Sequence, residues 1–476
     1  MKCFLFVLVG LITVELHAQS FFQSFSGNDY DEAHGIVQHS DSSYFICGSS
    51  SSFNAASNQA FLMKMTKDGI FEWSKEYGGS ETEIAKRVLN CGDTALYLIG
   101  TTNSTVSGDY DCFISKTSLD GTQVFQKTLS NVGWDKVNDA IIGTDSMIYI
   151  VGEAAKTGKG TECYLLKLTL AGDTVWTKTF GSIGDDGLNA IKQLDDSTFF
   201  AVGTINTTDS VFTKGLVLKF NDLGQISWQK EVGPNGNYTL TNFILADQKI
   251  KAVGTHKHTL GDLDSWLLRM DLSGIVEESL ETHDQGDLIH EGIALLGDAG
   301  KFFISNSYKN QYSASNSWDN GYERYSGDFT WDNVGIYVTM MYKEKGNQII
   351  STLDKGIISV GSITSNSFGG SLAFAIKIGS TSTTPIINLS NTQSILAVNQ
   401  LEIPSFLIYP NPTNEMVSIQ SKHSGIIEVY SNIGELIEVI QTSGEIQLNC
   451  NNYPKGLYFV RLFDGVSQAT QKLVIE

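Results

Sequence analysis

The chain has 476 residues and a formal net charge of −20 from 32 basic and 52 acidic side chains; 41% of its residues are hydrophobic, 18% are charged and 46 are glycine. That length exceeds one ordinary domain unless similar units stack, and the acidity, with no long basic run, excludes a nucleic-acid backbone or an anionic membrane as partner. The apolar content suffices for a buried core and the glycines for many tight turns, so the chain reads as folded and turn-rich.

Residues 1–18 read as an export leader: Lys2 supplies positive charge, Phe4 to Val14 form a short apolar run, and Leu16-His17-Ala18 ends in a small residue before Gln19. No stretch reaches the roughly 18 apolar residues of a membrane helix, so no membrane span is predicted. Without the leader, Cys47, Cys91, Cys112, Cys163 and Cys450 remain, an odd set whose spacing fits neither a zinc site nor a disulfide frame. Cys112 and Cys163 share one repeat position and read as small buried hydrophobes.

From residue 19 to 379 one phrase recurs about every 51 residues. An apolar strand ends in glycine at Gly48, Gly100, Gly152, Gly203, Gly254 and Gly361, with Ser305 in the sixth slot. The next strand ends at Lys64, Lys116, Lys167, Lys219, Arg269 and Lys377, and turn glycines follow at Gly69, Gly121, Gly172, Gly224 and Gly274. An aromatic and a lysine come next, as Trp73 with Lys75, Phe125 with Lys127, Trp176 with Lys178 and Trp228 with Lys230, until Glu278 breaks the beat. An acid or amide precedes each unit at Asp31, Glu83, Asp135, Asp186, Asn237 and Asp287.

In the first unit, Ala33 to Gln38, Tyr44 to Ser49, Phe61 to Met65 and Ile70 to Tyr77 have strand composition between turn residues. Four short antiparallel strands in about 51 residues make one propeller blade. Such a sheet leaves one apolar face wet, which radial stacking cures. Phe21 to Phe25 match a fourth strand with no unit before them, and the unit from Asn347 to Lys377 lacks one. Pairing the two closes a ring of seven blades and removes two exposed edges. The repeat resembles the β-propeller repeats of secreted bacterial proteins, on residues such as Trp73-Ser74-Lys75-Glu76-Tyr77-Gly78-Gly79 and Asp111-Cys112-Phe113-Ile114-Ser115-Lys116. That resemblance implies an architecture and is silent on activity.

The sixth unit departs most. Tyr308, Tyr312, Trp318, Tyr322, Tyr325 and Trp331 stand amid Ser, Asn, Asp and Gly, a mixture that does not alternate as a buried strand. They are candidate ligand contacts, weighed against space-filling in an irregular blade. His256 and His258, two apart on an extended chain, share a face and suit a metal with Asp262 or His283, although spacing fixes no third ligand, and a solvated loop is the simpler account. Asp111 and Asp264 occupy one repeat slot, which favours turn hydrogen bonding over a calcium loop. Asp185-Asp186 point to opposite faces, against an acid–base pair. No catalytic, metal or cofactor motif stands out, and no cofactor is expected. The outer aromatics Trp73, Trp176 and Trp228 read as packing between blades rather than as a sugar-stacking stripe.

Residues 380–400 turn rich in Ser, Thr and Asn and read as a linker. From 401 to 476 follow Phe406 to Tyr409, Met416 to Gln420, Ile426 to Tyr430, Leu436 to Gln441, Glu445 to Leu448, Leu457 to Phe463 and Gln468 to Ile475, strands spaced for a small antiparallel β-sandwich. The fold class is therefore all-β, a seven-bladed propeller followed by a sandwich. This tail closely resembles the type A C-terminal sorting domain of the type IX secretion system of Bacteroidetes-like bacteria. The resemblance rests on Tyr409-Pro410-Asn411-Pro412, Ile433-Gly434-Glu435, Gly456-Leu457-Tyr458 and Gln471-Lys472-Leu473 within their blocks. It implies passage through the periplasm, contact with that secretion machinery, and release or attachment at the outer cell surface. Asp-Ser/Thr-apolar triplets around Thr94, Ser146, Thr174 and Ser210 resemble the O-glycosylation signal of the same bacteria.

Repeat-explained acids favour a monomeric, non-catalytic binding protein whose ligand is a glycan or another protein. The alternative is a polysaccharide hydrolase or lyase, which repeat-breaking Asp, Glu, His or Tyr converging on one channel mouth would favour.

Overall fold

A computed structural model describes residues 20–26, 29–52, 57–105, 109–129, 133–156, 160–206, 212–258, 262–282, 286–297, 300–310, 318–338, 343–365, 370–379, 393–394, 406–421, 425–431, 436–442, 444–463 and 468–476. The leader, most of the linker, Ser210, His283, Tyr312 and Gly434 lie outside them. The chain divides into two compact units, one ending at Ala397 and one beginning at Val398.

In the first unit, residues 31–77, 83–129, 135–180, 187–232, 237–282 and 286–338 each fold into a four-stranded antiparallel sheet paired in sequence order. The seventh sheet takes Lys343–Ser351, Ile357–Ser365 and Gly370–Ile378 from its own repeat and Phe21–Ser26 from the other end, with Phe21 opposite Lys377 and Phe25 opposite Ala373. The innermost strand of each blade touches that of the next, and the seventh returns to the first, so the ring closes. The outer edge of Phe21–Ser26 is itself covered: Gln393–Ser394, expected to be linker without register, pair in parallel with Phe25 and Ser26. Unpaired strand edges attract such additions.

The recurring phrase has a steric cause. Each slot glycine of the second strand faces a bulky residue of the third, as Gly48 faces Phe61, Gly100 Phe113 and Gly254 Trp266. A Cβ at Gly48 would lie 1.9 Å from the Glu32 carbonyl and 2.7 Å from the Phe61 ring. The lysine ending the third strand sits over the second strand's aromatic, Lys167 at 4.9 Å from the Tyr149 ring and Lys116 at 5.4 Å from Tyr97. The outer aromatics pack inward, Trp73 on Phe45 at 6.1 Å and Trp176 on Tyr149 at 6.2 Å, and each also covers the turn glycine of the following blade. Those glycines hold φ near +77° at Gly121 and +72° at Gly224, where a side chain would be strained and would strike Trp73 or Trp176. Phe21 does the same for the first blade, its ring 2.9 Å from where a Cβ on Gly69 would stand.

Two expectations need correction. The sixth glycine slot is Asn306, one residue beyond Ser305, and it faces Gly321, so small and large partners have changed strands. Asn237 and Asp287 also stand one residue ahead of the acid position, which Tyr238 and Leu288 fill, and they instead accept the Thr213 and Leu263 amides at 3.2 and 3.1 Å. At the acid position proper, Asp31, Glu83, Asp135, Asp186 and Glu344 are all buried.

In the second unit, Phe406–Tyr409, Met416–Ser421 and Glu445–Asn449 form one sheet, and Leu436–Thr442, Gly425–Ser431, Gly456–Phe463 and Gln468–Ile475 another. Val417, Ile419 and Leu448 of the first share a core with Ile427, Val429, Val460, Leu462 and Leu473 of the second, the predicted sandwich. Within the motif, Asn411 donates to the Lys472 carbonyl at 2.6 Å and accepts the Val474 amide at 2.9 Å, tying the first block to the last. Tyr458 is buried, stacks on Tyr453 at 5.4 Å and donates to the Pro454 carbonyl.

Removal of residues 19–26 would open the edge of Gly370–Ile378 and uncover Gly69. Loss of a single cooperative melt in circular dichroism, with aggregation in light scattering, is the expected outcome. A truncated chain that melts once at the parent temperature refutes the closure argument.

Candidate functional site at the propeller axis

Every innermost strand carries a one-residue bulge, where two residues oppose one on the second strand. The extra residues are His34, Lys86, Asn138, Asn189, Thr241, Glu291 and Asn347, one per blade. All seven line one cavity of about 470 Å³. The bulge turns one polar side chain per blade to the axis, where converging backbones leave no room for a regular ladder.

Four of these residues bind the ring together. Asn138 donates to the Leu188 carbonyl at 2.9 Å, Asn189 to Leu240 at 2.8 Å, Thr241 to His290 at 2.7 Å and Asn347 to Ala33 at 2.8 Å. In each case the acceptor is the residue before the next blade's bulge. The side chain after the bulge also crosses blades: Arg87 Nε bonds Asp139 Oδ1 at 2.6 Å, and Asp139 Oδ2 accepts the Ile191 amide at 3.0 Å. Burial alone would raise the Asp139 carboxyl, but Arg87, Lys192 and the Ile191 amide hold it below its ordinary value.

The ionisable bulge residues are His34, Lys86 and Glu291, and two further cavities share the latter two. A cavity of about 380 Å³ is lined by Lys86, Ile84, Thr101, Asp109, Tyr110, Trp134 and Lys136, between blades 2 and 3. Another of about 260 Å³ is lined by Glu291, Glu32, Glu344, Lys343, Lys345, Ser307 and Trp318 among others, between blades 6 and 7. All three are lined in part by residues near the start of the innermost strands.

The aromatic residues singled out in blade 6 do not gather. Trp318–Tyr325 form a half-buried third strand, contrary to the expectation of a loop. Its alternation sends Asn320 and Tyr322 to one face, and Tyr322 is fully buried in the core against blade 7. Tyr325 is buried and stacked on Phe302 at 5.8 Å, Trp331 is exposed on the outer strand, and Tyr308 is half-buried. Trp318 lines the cavity between blades 6 and 7, with Lys309 over its ring at 5.9 Å. Thr94, Ser146 and Thr174 are exposed at turns or strand ends. Asp186 accepts from Ser182 Oγ at 2.9 Å and the Asn206 amide at 2.6 Å, whereas Asp185 is exposed. All five cysteines among the described residues are free, and burial pushes Cys47 up to about 12. The bulge residues were missed in sequence because their types differ; an alignment anchored three residues after each acid brings out most of them.

Residues 407–476 match the family described as a secretion system C-terminal sorting domain. The chain is thus a propeller protein carrying a type IX sorting domain, directed to the outer surface or the surroundings through that machinery. No helix among the described residues is long and apolar enough to cross a membrane. No curated protein sequence matches the chain. Among solved structures, it is similar to the Neurospora crassa Pan2 WD40 domain at 10% identity, covering 75% of this chain and 91% of that one with a TM-score of 0.45. It is similar to Sqt1 from Chaetomium thermophilum at 11% identity, with 85% and 96% covered and a TM-score of 0.44. A puromycin hydrolase shares 12% identity over 83% of this chain and 58% of that one, with a TM-score of 0.48. At these identities the likeness is one of fold.

Burial dominates the titration of the ring. It lowers His34 well below its ordinary value, helped by Lys86, Lys345 and Arg87, and brings Lys86 down to about 8 together with Arg87, Lys345 and Lys136. Burial pushes Glu291 up from 4.5 to about 8, against the pull of Lys345 and the Ser307 hydroxyl, which donates at 2.9 Å. A carboxyl raised on folding binds its proton more tightly in the folded chain, so folding stability falls as pH rises through that window and is flat above it. Glu291→Gln removes this slope, on the order of 1.4 kcal/mol per pH unit at most. Urea denaturation should therefore show the variant gaining on the parent between pH 5 and 8. Parallel pH profiles would contradict the assignment.

Proposed function

We propose that the propeller is a binding module for an acidic glycan, held at the axial cavity and at the cavity between blades 2 and 3 that shares Lys86 with it, with a charged group against Lys86 and Lys136 and a sugar face on Tyr110 and Trp134. The observation that carries this reading is a concentration of cations in a chain of net charge −20, with Lys86, Arg87 and Lys345 lining the cavity of about 470 Å³ and Lys136 the adjoining one of about 380 Å³. Such a volume suits a small ligand or the end of a chain. Amphipathic aromatic rings beside polar groups suit the mixed faces of a sugar. Delivery to the cell exterior, with residues 1–18 as the export leader, puts the site where extracellular polysaccharide is found.

A second reading has one observation in its favour. Glu291 is the acidic member of the bulge ring and holds its proton to about pH 8, as a general acid must, in a cavity that also presents Glu32 and Glu344. On this reading the protein is a polysaccharide hydrolase or lyase, and Glu291→Gln abolishes turnover of whatever the parent binds.

Calorimetric titration with charged and neutral oligosaccharides decides the binding reading. Acidic oligosaccharides should bind, and Lys86→Ala with Lys136→Ala should weaken them at least tenfold without shifting the melting temperature by more than a few degrees. Equal binding of neutral sugars, or indifference to both substitutions, refutes it. Separately, a chain ending at Ala397 should accumulate in the periplasm with its propeller folded; its appearance in the medium would contradict the role of the sorting domain.

A further inference from the structure

Blade 5 breaks the repeat at the same end of its sheet. In blades 1 and 2 that corner holds an acid bonded to a hydroxyl of the second strand, Asp31 with Ser50 and Glu83 with Thr102, the latter at 2.6 Å. Blade 5 has Tyr238 in the acid's place and His256 in the hydroxyl's, paired in register and stacked with centroids 4.2 Å apart at 8°. Across the second and third strands His256 faces Asp264. His258, two residues on, turns back so that its Nε2 lies 2.6 Å from Asp264 Oδ2. One ring nitrogen of each histidine and one carboxylate oxygen of Asp264 thus lie within 4.8 Å of one another. The third member is neither candidate suggested by spacing: Asp262 offers its backbone carbonyl to the His258 amide at 2.9 Å, and His283 lies outside the described residues.

We propose that His256, His258 and Asp264 form a binding site for a divalent transition metal of the zinc type. Two imidazoles and a carboxylate are the donors that such a cation takes, whereas calcium and magnesium prefer all-oxygen sets. Three protein ligands leave a fourth position to water.

Three independent features support the assignment. Glu281 Oε2 lies 3.2 Å from His256 Nδ1, and Tyr238 donates its hydroxyl to the other oxygen of Glu281 at 2.6 Å. A carboxylate on the far nitrogen is the usual means of orienting a metal-bound histidine, and it leaves Nε2 for the metal. At that nitrogen the backbone makes room, since a Cβ at Gly236 would stand 2.8 Å from His256 Nε2. Access is graded as well: the His258 side chain is 39% exposed, while those of His256 and Asp264 are 12% and 7% exposed, a held floor with an open side. Zinc bonds of about 2.0–2.2 Å place ligand atoms roughly 3.3 Å apart. The His258–Asp264 pair, now 2.6 Å apart, opens slightly to reach that spacing, which the partly exposed His258 allows.

The test uses the full chain, stripped with a chelator and titrated with Zn²⁺ by calorimetry and with Co²⁺ by visible absorption. One metal per chain is expected, with a rise in melting temperature and the visible bands of histidine-bound cobalt. His258→Ala and Asp264→Asn should each weaken binding at least tenfold with unchanged far-ultraviolet circular dichroism. His39→Ala, at another histidine beside carboxylates, should leave it unaltered. Absence of stoichiometric binding by the parent, or parental affinity in both His258→Ala and Asp264→Asn, overturns the proposal.

Discussion

Seven backbones meet at the axis of this protein, and the bulge is how each of them gets there. A regular inner strand alternates its side chains between the two neighbouring blades, leaving none for the centre. One extra residue rotates the chain, so that a single side chain faces the axis and the next reaches to the following blade. In the six blades with a slot glycine the same kink brings the neighbouring carbonyl so near, 1.9 Å from a Cβ at Gly48 and 1.8 Å at Gly152, that no side chain fits, whereas in blade 6 Asn306 holds the slot. The glycine beat and the axial ring are therefore two consequences of one backbone distortion.

Closure depends on the same economy of contacts. A blade is wedged between neighbours that supply what its own sheet lacks, an aromatic over its turn glycine on one side and a core face on the other. Phe21–Ser26 must meet both demands for the first and seventh blades, and Phe21, Phe22 and Phe25 are all buried while doing so. Phe22 stacks on Phe374 at 6.1 Å inside the seventh blade, and Phe21 packs edge-on against Tyr44 at 6.4 Å in the first. Joining the sequence ends in this way pairs the strand edge that Gly370–Ile378 would otherwise leave open.

Blade count, strand order, closure and the sandwich were legible in the sequence because they rest on steric necessities that recur with one residue type: glycine under a ring, lysine over one, an aromatic across a seam. The axial ring was not, because His34, Lys86, Asn138, Asn189, Thr241, Glu291 and Asn347 share polarity and geometry but no identity. Register failed in blade 6 for a related reason. Ser305 and Asn306 are both polar and of modest size, and the bulky residue that faces the slot elsewhere has become Gly321, so nothing in the sequence separates the two positions. The aromatic run from Trp318 looked irregular for want of that marker, although its alternation buries Tyr322 as a strand should. His256 and His258 were visible as a pair, but Asp264 belongs to the facing strand, and only the hairpin register brings it opposite His256.

The acidity of the chain and the cations of its axis pull in opposite directions, and distance decides between them. At physiological salt a net charge is screened beyond about 8 Å, so the acids on the rim exert little force within the cavity. There burial, with the charges of Arg87, Lys345 and Lys136, lowers the Lys86 pKa to about 8, while Glu32 pulls weakly the other way. Arg87 is neutralised by Asp139 at 2.6 Å and is fixed in the blade seam. The charge that stays available at the axis is then that of lysines which repel one another, an arrangement that an entering anion relieves and that folding alone gives no reason to keep.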